Sequence, residues 1–318
     1  MSNYFDVKNN PRKAYTGLLV ILAIALVFPF IAQNFGNSWV RIMDFALLYI
    51  MLALGLNVVV GFAGLLDLGY IAFYAIGAYL TALLSSPQFA VVLESFVNQY
   101  PAIGTTLMWI FGPEIAQNGI HLSMWAIVPL AALVAGFFGA LLGAPTLKLR
   151  GDYLAIVTLG FGEIIRIFMN NLNGPVNITN GPQGINLIDP IRIFGVSLNG
   201  EEGSASTVML GNYAMPSVNA YYFLFLALCI AIIFISVRLQ NSRLGRAFVA
   251  IREDEIAAKA MGINTRNVKL LAFAMGASFG GVAGAMFASF QGFVSPESFS
   301  LTESIAVLAM VVLGGMGH

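Results

Sequence analysis

Residues 219–237 read NAYYFLFLALCIAIIFISV, a stretch of 19 residues without Asp, Glu, Lys or Arg. A helix needs roughly 20 apolar residues to cross the hydrocarbon core of a bilayer, so this stretch predicts a membrane span. The whole chain has the same character, since 58% of its 318 residues are hydrophobic and 9% are charged. A soluble domain carries about 25% charged residues. The composition therefore excludes a soluble enzyme, a soluble binding module and a disordered chain, and the net charge of zero gives no reason to expect nucleic acid.

Seven other segments have a comparable apolar composition. Because these segments are continuous, and do not alternate between polar and apolar residues, they predict helices and not the strands of a β-barrel. The predicted fold class is all-α, a polytopic transmembrane helix bundle of about eight spans in a single domain, 1–318. The last span has about 13 apolar residues, short of a full crossing, so we expect the natural product to continue beyond it. The spans are 15–32, 42–60, 64–84, 123–147, 153–169, 219–237, 270–290 and 304–316.

The basic residues are divided unequally between the two ends of the predicted spans. With a cytoplasmic N-terminus, 12 of the 15 lie on the cytoplasmic side, as expected from the excess of Lys and Arg in cytoplasmic loops. The opposite orientation would invert that ratio. We therefore expect the loops 85–122 and 173–218, which are poor in Lys and Arg, on the outer face. The 12 residues are Lys8, Arg12, Lys13, Lys148, Arg150, Arg238, Arg243, Arg246, Arg252, Lys259, Arg266 and Lys269.

Small residues recur every four positions in two of the spans. Residues four apart share one face of a helix, and small side chains there let another backbone approach closely. The pattern predicts tight helix packing within the chain, and lining of a substrate path is the alternative. The residues are Gly276, Gly280, Gly284 and Ala288 in one span, and Ala135, Gly139 and Gly143 in the other.

Two spans contain an acid and a base three residues apart. Arg41 and Asp44 lie near the outer end of the second span, and Glu163 and Arg166 lie inside the fifth. A charge at the centre of a bilayer costs at least about 2.5 kcal/mol. Because residues at this spacing are neighbours on a helix, we expect each pair to form an ion pair. A role for Glu163 in transport is the alternative.

Asp67 has no such neighbour. It follows Gly61 and Gly64, which loosen the start of the third span, so we expect it to cap a helix near the cytoplasmic interface. Asn57 lies in the preceding turns and could form a polar cluster with it. We consider Asn57, Asp67 and Glu163 the candidates for a translocation path.

The chain lacks the residue patterns of an enzyme. Residues 276–280, GASFG, match the G-x-S-x-G elbow of hydrolases, but they lie in the small-residue pattern of a helix, and the histidines His121 and His318 are distant in sequence. The sequence contains neither a P-loop nor an H-E-x-x-H motif, and Cys229 is the single cysteine. We expect no catalytic residue, no metal site and no cofactor bound by this chain.

The segment 238–269, between the sixth and seventh spans, is the cytoplasmic insert. It holds seven of the 15 basic residues. Ser242 is predicted to cap a first short helix and Asp254 a second. Gly262 suits the position after a helix end, where the backbone is left-handed.

The second helix of the insert has a small, partly apolar surface. Such a surface favours a helix that docks on a cytoplasmic partner over a solvated loop that only sets the topology. We expect Ala257 and Ala258 at the contact, with Ile256, Ala260 and Met261 also available. The expected polar rim consists of Arg252, Glu253, Asp254 and Glu255.

The insert also carries a family resemblance. The sequence AA-x-x-x-G, from Ala257 to Gly262, resembles the EAA-x-x-x-G loop of ABC-importer permeases, although Glu255 is displaced by one residue from the usual glutamate. From about residue 40 to 318 the chain looks like the LivM-type permeases of branched-chain amino-acid ABC importers. The matching stretches are GFAGLLDLGYIAFYAIGAYL (61–80), LRGDYLAIVTLGFGEIIRIF (149–168), TNGPQGI (179–185), the insert, and LGGMGH at the end, where the family usually continues.

This resemblance implies a role and a set of partners. The chain would be one of two different permease subunits in the inner membrane of a bacterium. A periplasmic binding protein would deliver the amino acid, and two cytoplasmic ATPase subunits would bind ATP and magnesium. The insert, 238–269, would couple those ATPases to the helix bundle. The chain itself would perform no chemistry.

Three alternatives stay open. An ion-coupled secondary carrier would use Asp67 or Glu163 as the titrating group, but it would leave the capped insert unexplained. For a membrane-embedded enzyme, the sequence lacks a plausible set of histidines or metal ligands. An ABC permease could instead carry urea, amides or other amino acids, because nothing in the spans identifies a particular side chain.

Overall fold

A computed structural model describes residues 11–146, 149, 152–193, 196–199, 207–210 and 213–316. Most of these residues are helical, as the sequence predicts. Helix α2 continues into a π-helical turn, Val58–Phe62, and short 3-10 turns occupy Gly181–Gln183 and Pro296–Phe299. The α-helices are α1 Pro11–Gln33, α2 Asn37–Asn57, α3 Ile71–Leu84, α4 Gln88–Gln99, α5 Pro101–Asn118, α6 Met124–Thr146, α7 Asp152–Asn171, α8 Ser217–Gln240, α9 Arg243–Glu253, α10 Glu255–Ala260, α11 Thr265–Gln291 and α12 Leu301–Gly314.

Within the described residues, three antiparallel pairs of short strands lie outside the helix bundle. The pair β1–β6 joins the segment after α7 to the segment after α11, with Ile185 opposite Val294. The predicted outer loop 173–218 is therefore tied to the end of α11. The strands are β1 Ile185–Asn186, β2 Arg192–Ile193, β3 Val196–Ser197, β4 Thr207–Leu210, β5 Tyr213–Pro216 and β6 Phe293–Val294, and β2 pairs with β3 and β4 with β5.

Each of the eight predicted spans coincides with a helix, but not every helix is long enough to cross a bilayer. Within the described residues, six helices are long and apolar enough. Helices α3 and α4 are bent by 80° and form either one broken span or a re-entrant loop, which gives seven at most. The apolar part of α1, Leu19–Gln33, is shorter than a span. The six are Asn37–Phe62, Met124–Thr146, Tyr153–Asn171, Ser217–Gln240, Thr265–Gln291 and Pro296–Gly314.

The third predicted span begins later than the sequence suggests. Residues 63–70 are not helical, and α3 starts at Ile71. Two side chains accept hydrogen bonds from backbone amides in this break. The amide of Leu68 donates to Thr158 Oγ1 at 3.0 Å, and the amide of Gly69 donates to Asp67 Oδ1 at 2.9 Å. Asp67 thus supports the break, and the prediction that it caps the helix is wrong.

Helix α11 lies at the centre of the bundle and packs against α3 and α6 with almost no side chain between the backbones. A Cβ added to Gly77 of α3 would lie 2.1 Å from the carbonyl oxygen of Gly281. A Cβ on Gly284 would lie 2.1 Å from the carbonyl oxygen of Tyr74. On the α6 side, a Cβ on Gly139 would lie 2.5 Å from Cβ of Ala277. These contacts confirm that the small-residue pattern serves helix packing within the chain.

Replacing Gly77 or Gly284 with alanine is expected to destabilise the bundle by about 1–3 kcal/mol or more, because the added methyl group overlaps backbone atoms of the neighbouring helix. Gly160→Ala in α7 is the matched control, since a Cβ there meets nothing within 4 Å. Alanine favours a helix over glycine by about 1 kcal/mol, so the control is expected to be neutral or slightly stabilising. Unfolding midpoints in detergent measure the difference, and equal midpoints for all three variants would contradict the close approach.

Candidate functional site

The insert, 238–269, folds into two capped helices, α9 and α10. The Oγ atom of Ser242 accepts from the amide of Gly245 at 3.1 Å at the start of α9. The carboxylate of Asp254 accepts two amides at the start of α10, at 2.8 and 3.0 Å. Gly262, just after α10, has a φ of 86°, in the left-handed region. All three predicted helix signals are confirmed, because each depends only on residues within one turn.

Helix α9 attaches the insert to the base of the bundle. Phe248 and Ile251 are buried on its inner face, and Phe248 packs in an apolar cluster with Phe273 of α11 and Val58 of the π-helical turn. Leu244 is exposed. The inner face of α9 is therefore part of the core of the protein.

Two charged residues of the expected polar rim bind the bundle as well. Arg252 Nη1 donates to the carbonyl oxygen of Gly61 at 2.7 Å, where the π-helical turn ends. Glu255 forms an ion pair of 2.7 Å with Lys269 in the first turns of α11, and the Lys269 side chain is only 6% exposed. Arg252 and Glu255 thus hold the insert in place. Arg252 is nevertheless exposed and Glu255 partly exposed, so their place in the polar rim of a contact stays a prediction. A crevice of about 350 Å³ remains between the insert and the break after α2.

The outward face of α10 carries three apolar residues and one lysine. Ala258 is 2% exposed and faces the bundle, so the expectation that it contacts a partner is wrong. Glu253 is exposed, and so is Asp254, whose carboxylate caps α10. Lys259 is exposed as well. The remaining exposed residues are apolar and form what we call the insert tip, in which Met261 is 83% exposed. The insert tip consists of Ile256, Ala257, Ala260 and Met261.

The predicted ion pair between Arg41 and Asp44 does not form. Arg41 Nη2 donates to Gln291 Oε1 at 3.0 Å, and the guanidinium lies 5.6 Å from the centre of the Phe290 ring. Asp44 is fully buried, and within the described part of the chain its carboxylate oxygens have no hydrogen-bond partner. The end of α11, far away in sequence, offers Arg41 an amide and an aromatic ring, and this contact replaces the local one.

The predicted pair in α7 does form, and it has a third member. Arg166 Nε contacts Glu163 at 3.1 Å. Arg166 Nη1 also contacts both carboxylate oxygens of Glu297, at 3.2 Å, and Asn170 Nδ2 approaches Glu297 Oε1 at 3.5 Å. We call Glu163, Arg166 and Glu297 the charge cluster. Sequence reasoning missed Glu297 because it lies 131 residues from Arg166, in the 3-10 turn Pro296–Phe299 that precedes α12.

The other two path candidates lie in different surroundings. Asn57 lines an apolar groove of about 680 Å³ between α2 and α12. Tyr49, in the same groove, donates a hydrogen bond to the Glu303 carboxylate in the first turn of α12. Asp67 is buried beside Thr158, in a small cavity that Phe273 also lines. The structure thus places Asn57 on an accessible surface and Asp67 in the interior.

Comparisons with known proteins agree with the resemblance. The family described as "Branched-chain amino acid transport system / permease component" matches residues 38–318. The high-affinity branched-chain amino acid transport system permease protein LivM of Escherichia coli K12 is 44% identical over 306 residues, which cover 94% of this chain and 63% of that protein. A LivM protein of Salmonella typhimurium has the same identity and coverage. The chain thus spans less than two thirds of the length of these two relatives.

More distant relatives match as well. A probable branched-chain amino acid transport permease LivM of Methanocaldococcus jannaschii is 27% identical over 85% of this chain and 73% of its own length. The permease LivH of Salmonella typhimurium is 24% identical over 85% of this chain and 75% of its own length. No solved structure matches.

Proposed function

This chain belongs to the family of branched-chain amino acid transport system permease components, and on that premise we propose that it is a membrane-spanning permease subunit of an ATP-driven ABC importer for branched-chain amino acids. The identity of 44% to LivM, over 94% of the chain, is the observation that carries the proposal. The apolar helices supply the membrane-embedded part that such a subunit needs. The capped insert supplies a surface on which an ATPase can act.

The proposed complex contains four kinds of chain. A sister permease is suggested by the similarity to LivH, whose name describes a permease of the same kind of system. Two cytoplasmic ATPase subunits would bind ATP with magnesium and hydrolyse it, and a periplasmic binding protein would deliver the substrate. This chain would provide the path and carry out no chemistry. A lipid bilayer, the inner membrane of a bacterium, would surround it.

The proposed coupling runs through the contacts of the insert. A force on the insert tip would reach α2 through the hydrogen bond from Arg252 to Gly61, and it would reach α11 through Glu255 and Lys269. Because α11 packs directly against α3 and α6, a displacement of its base would move three helices together. ATP would then shift the balance between outward- and inward-open states, provided that it binds the complex more tightly in one of them.

We expect the insert in the cytoplasm and the segment 173–218 in the periplasm, because 12 of the 15 basic residues are then cytoplasmic. Single cysteines at exposed positions, Lys259→Cys and Asn199→Cys, in a Cys229→Ser background test this orientation. An impermeant thiol reagent added to intact cells is expected to label position 199 and not position 259. The reverse pattern would contradict the orientation.

We expect the insert tip to dock on an ATPase subunit. Ala257→Trp should prevent close approach, and we expect at least a tenfold fall in ATP-dependent uptake, with loss of the ATPases on purification. Val249→Trp is the matched control, because Val249 is exposed on α9 outside the insert tip, and uptake should stay unchanged. Normal uptake by Ala257→Trp would rule out docking at this surface.

The function itself is tested by reconstitution with the candidate ATPases, sister permease and binding protein. Uptake of leucine, isoleucine and valine into proteoliposomes is expected with ATP and not with an imposed proton or sodium gradient. Uptake driven by a gradient alone would indicate a secondary carrier. ATP-driven uptake of urea or amides, without branched-chain amino acids, would leave the mechanism intact and reject the substrate.

A further inference from the structure

Helices α4 and α5 form a hairpin at one end of the helix bundle. They are antiparallel, because Gly104 near the start of α5 approaches Val97 near the end of α4, whereas Phe111 contacts Phe89 near the start of α4. A Cβ on Gly104 would lie 2.4 Å from the backbone nitrogen of Val97, and the two rings lie 5.2 Å apart. Helix α4 is bent by 80° from the preceding α3, so the hairpin runs across the direction of α3 and not along it.

The base of the hairpin lies level with the end of α11, whereas the insert contacts the first turns of α11 through Lys269. Two neighbouring residues join the ends of α3 and α11. The amide of Asp189 donates to the carbonyl oxygen of Ser85 at 2.7 Å, and the amide of Ile188 donates to that of Gly292 at 3.4 Å. Because α11 is a candidate span, this level is one boundary of the membrane. Since α3 packs directly against α11, the hairpin runs close to the plane of that boundary.

The three tryptophans of the chain are all exposed, and two of them mark the same boundary. Trp39 lies in the first turn of α2, two residues before Arg41, which contacts the end of α11 at 3.0 Å. Trp125 lies in the first turn of α6, where Met124 contacts the end of α11 at 3.4 Å. Tryptophan is enriched where a membrane meets water. The third, Trp109 of α5, is 84% exposed.

The part of α5 before its kink, 101–111, has an exposed apolar surface. Ile103 and Ile110 are exposed together with Trp109. The helix is kinked at Gly112, whose φ is 83°, and the charged residue of α5, Glu114, comes after the kink. Exposed apolar surfaces of this kind mark contacts with a membrane or with another protein.

The polar groups of this surface favour lipid over a soluble protein. The hydroxyl groups of Thr105 and Thr106 donate to backbone carbonyl oxygens of their own helix, at 2.8 and 2.7 Å, so neither needs a partner outside the chain. The segment 85–122 has no Lys or Arg, and its acids are Glu94 and Glu114. Contacts between proteins are instead surrounded by a polar rim with direct hydrogen bonds.

We propose that the α4–α5 hairpin lies along the membrane surface, and that the segment 101–111 is embedded in the lipid leaflet at this end of the bundle, with Trp109 among the headgroups. In the expected orientation this is the outer leaflet. Interfacial helices are buried by about 5–10 Å at the boundary between headgroups and acyl chains. The 80° bend then marks the point where the chain stops crossing the membrane and turns along it. This inference goes beyond the proposed function, because it assigns a lipid contact and concerns neither substrate nor ATP.

Fluorescence quenching tests the contact with lipid. Trp39→Phe and Trp125→Phe leave Trp109 as the single tryptophan of the full chain, which is placed in lipid nanodiscs. Lipids with a spin label near the headgroup end of the acyl chain are expected to reduce its emission at least twofold. The matched control carries Trp109→Phe as well and Asn199→Trp, at an exposed position of the segment 173–218, and its emission should stay nearly unchanged. Equal, weak quenching of both proteins would overturn the proposal.

Thiol labelling gives a second measurement that keeps all three tryptophans. In a Cys229→Ser background, Ile110→Cys introduces a thiol at a position that is 61% exposed in the chain. A charged methanethiosulfonate reagent reacts with thiols in water, so in nanodiscs we expect position 110 to react at least tenfold more slowly than Asn199→Cys. Equal, fast rates at the two positions would contradict burial in lipid.

A protein partner on the same surface would give a different result. Position 110 would then react fast and Trp109 would escape quenching by the lipids in the chain alone, and position 110 would become protected only when a binding protein or a second permease is added. That result would reject the lipid contact. None of these measurements depends on transport, so failure of this inference would leave the proposed function unchanged.

Discussion

The direct contact between the backbones of α11, α3 and α6 is the constraint on which the rest of the structure depends. In a bilayer, apolar side chains gain little by leaving lipid for protein, so association of helices relies on close packing. Gly77 and Gly281 let α3 and α11 approach to a distance that any side chain would prevent. The three helices therefore form a single closely packed unit. The insert is attached to the base of that unit through Lys269. Glu163 and Arg166 of the charge cluster lie on a more exposed helix, α7.

Features set by neighbouring residues could be predicted from the sequence. Ser242, Asp254 and Gly262 define the ends of the insert helices because a cap involves atoms three or four residues apart. The pair in α7 follows from the same local geometry, since Glu163 and Arg166 are one turn apart. The apolar segments predict where helices occur, because the cost of exposing a backbone to lipid leaves few alternatives.

Features set by distant residues could not be predicted in this way. Arg41 prefers Gln291 over the nearby Asp44, and the sequence gives no sign that the two elements meet. Glu297 joins Arg166 across 131 residues. Helix α10 is too short for its buried side to be read from periodicity, so the orientation of Ala258 depends on where the insert rests on the bundle. Each of these errors concerns which surfaces face each other. The late start of α3, at Ile71, is the error that concerns where a helix begins.

The hydrogen bond from Arg252 to Gly61 joins a side chain to a main-chain oxygen. Substitutions at its two ends therefore have different effects on the bond. Every residue type carries a carbonyl oxygen, so no missense change at position 61 deletes the acceptor. A substitution at position 252 removes the donor, unless the new residue also has a long side chain that can donate a hydrogen bond. A random search for alleles that disconnect the insert through this bond would therefore recover changes at only one of its two ends.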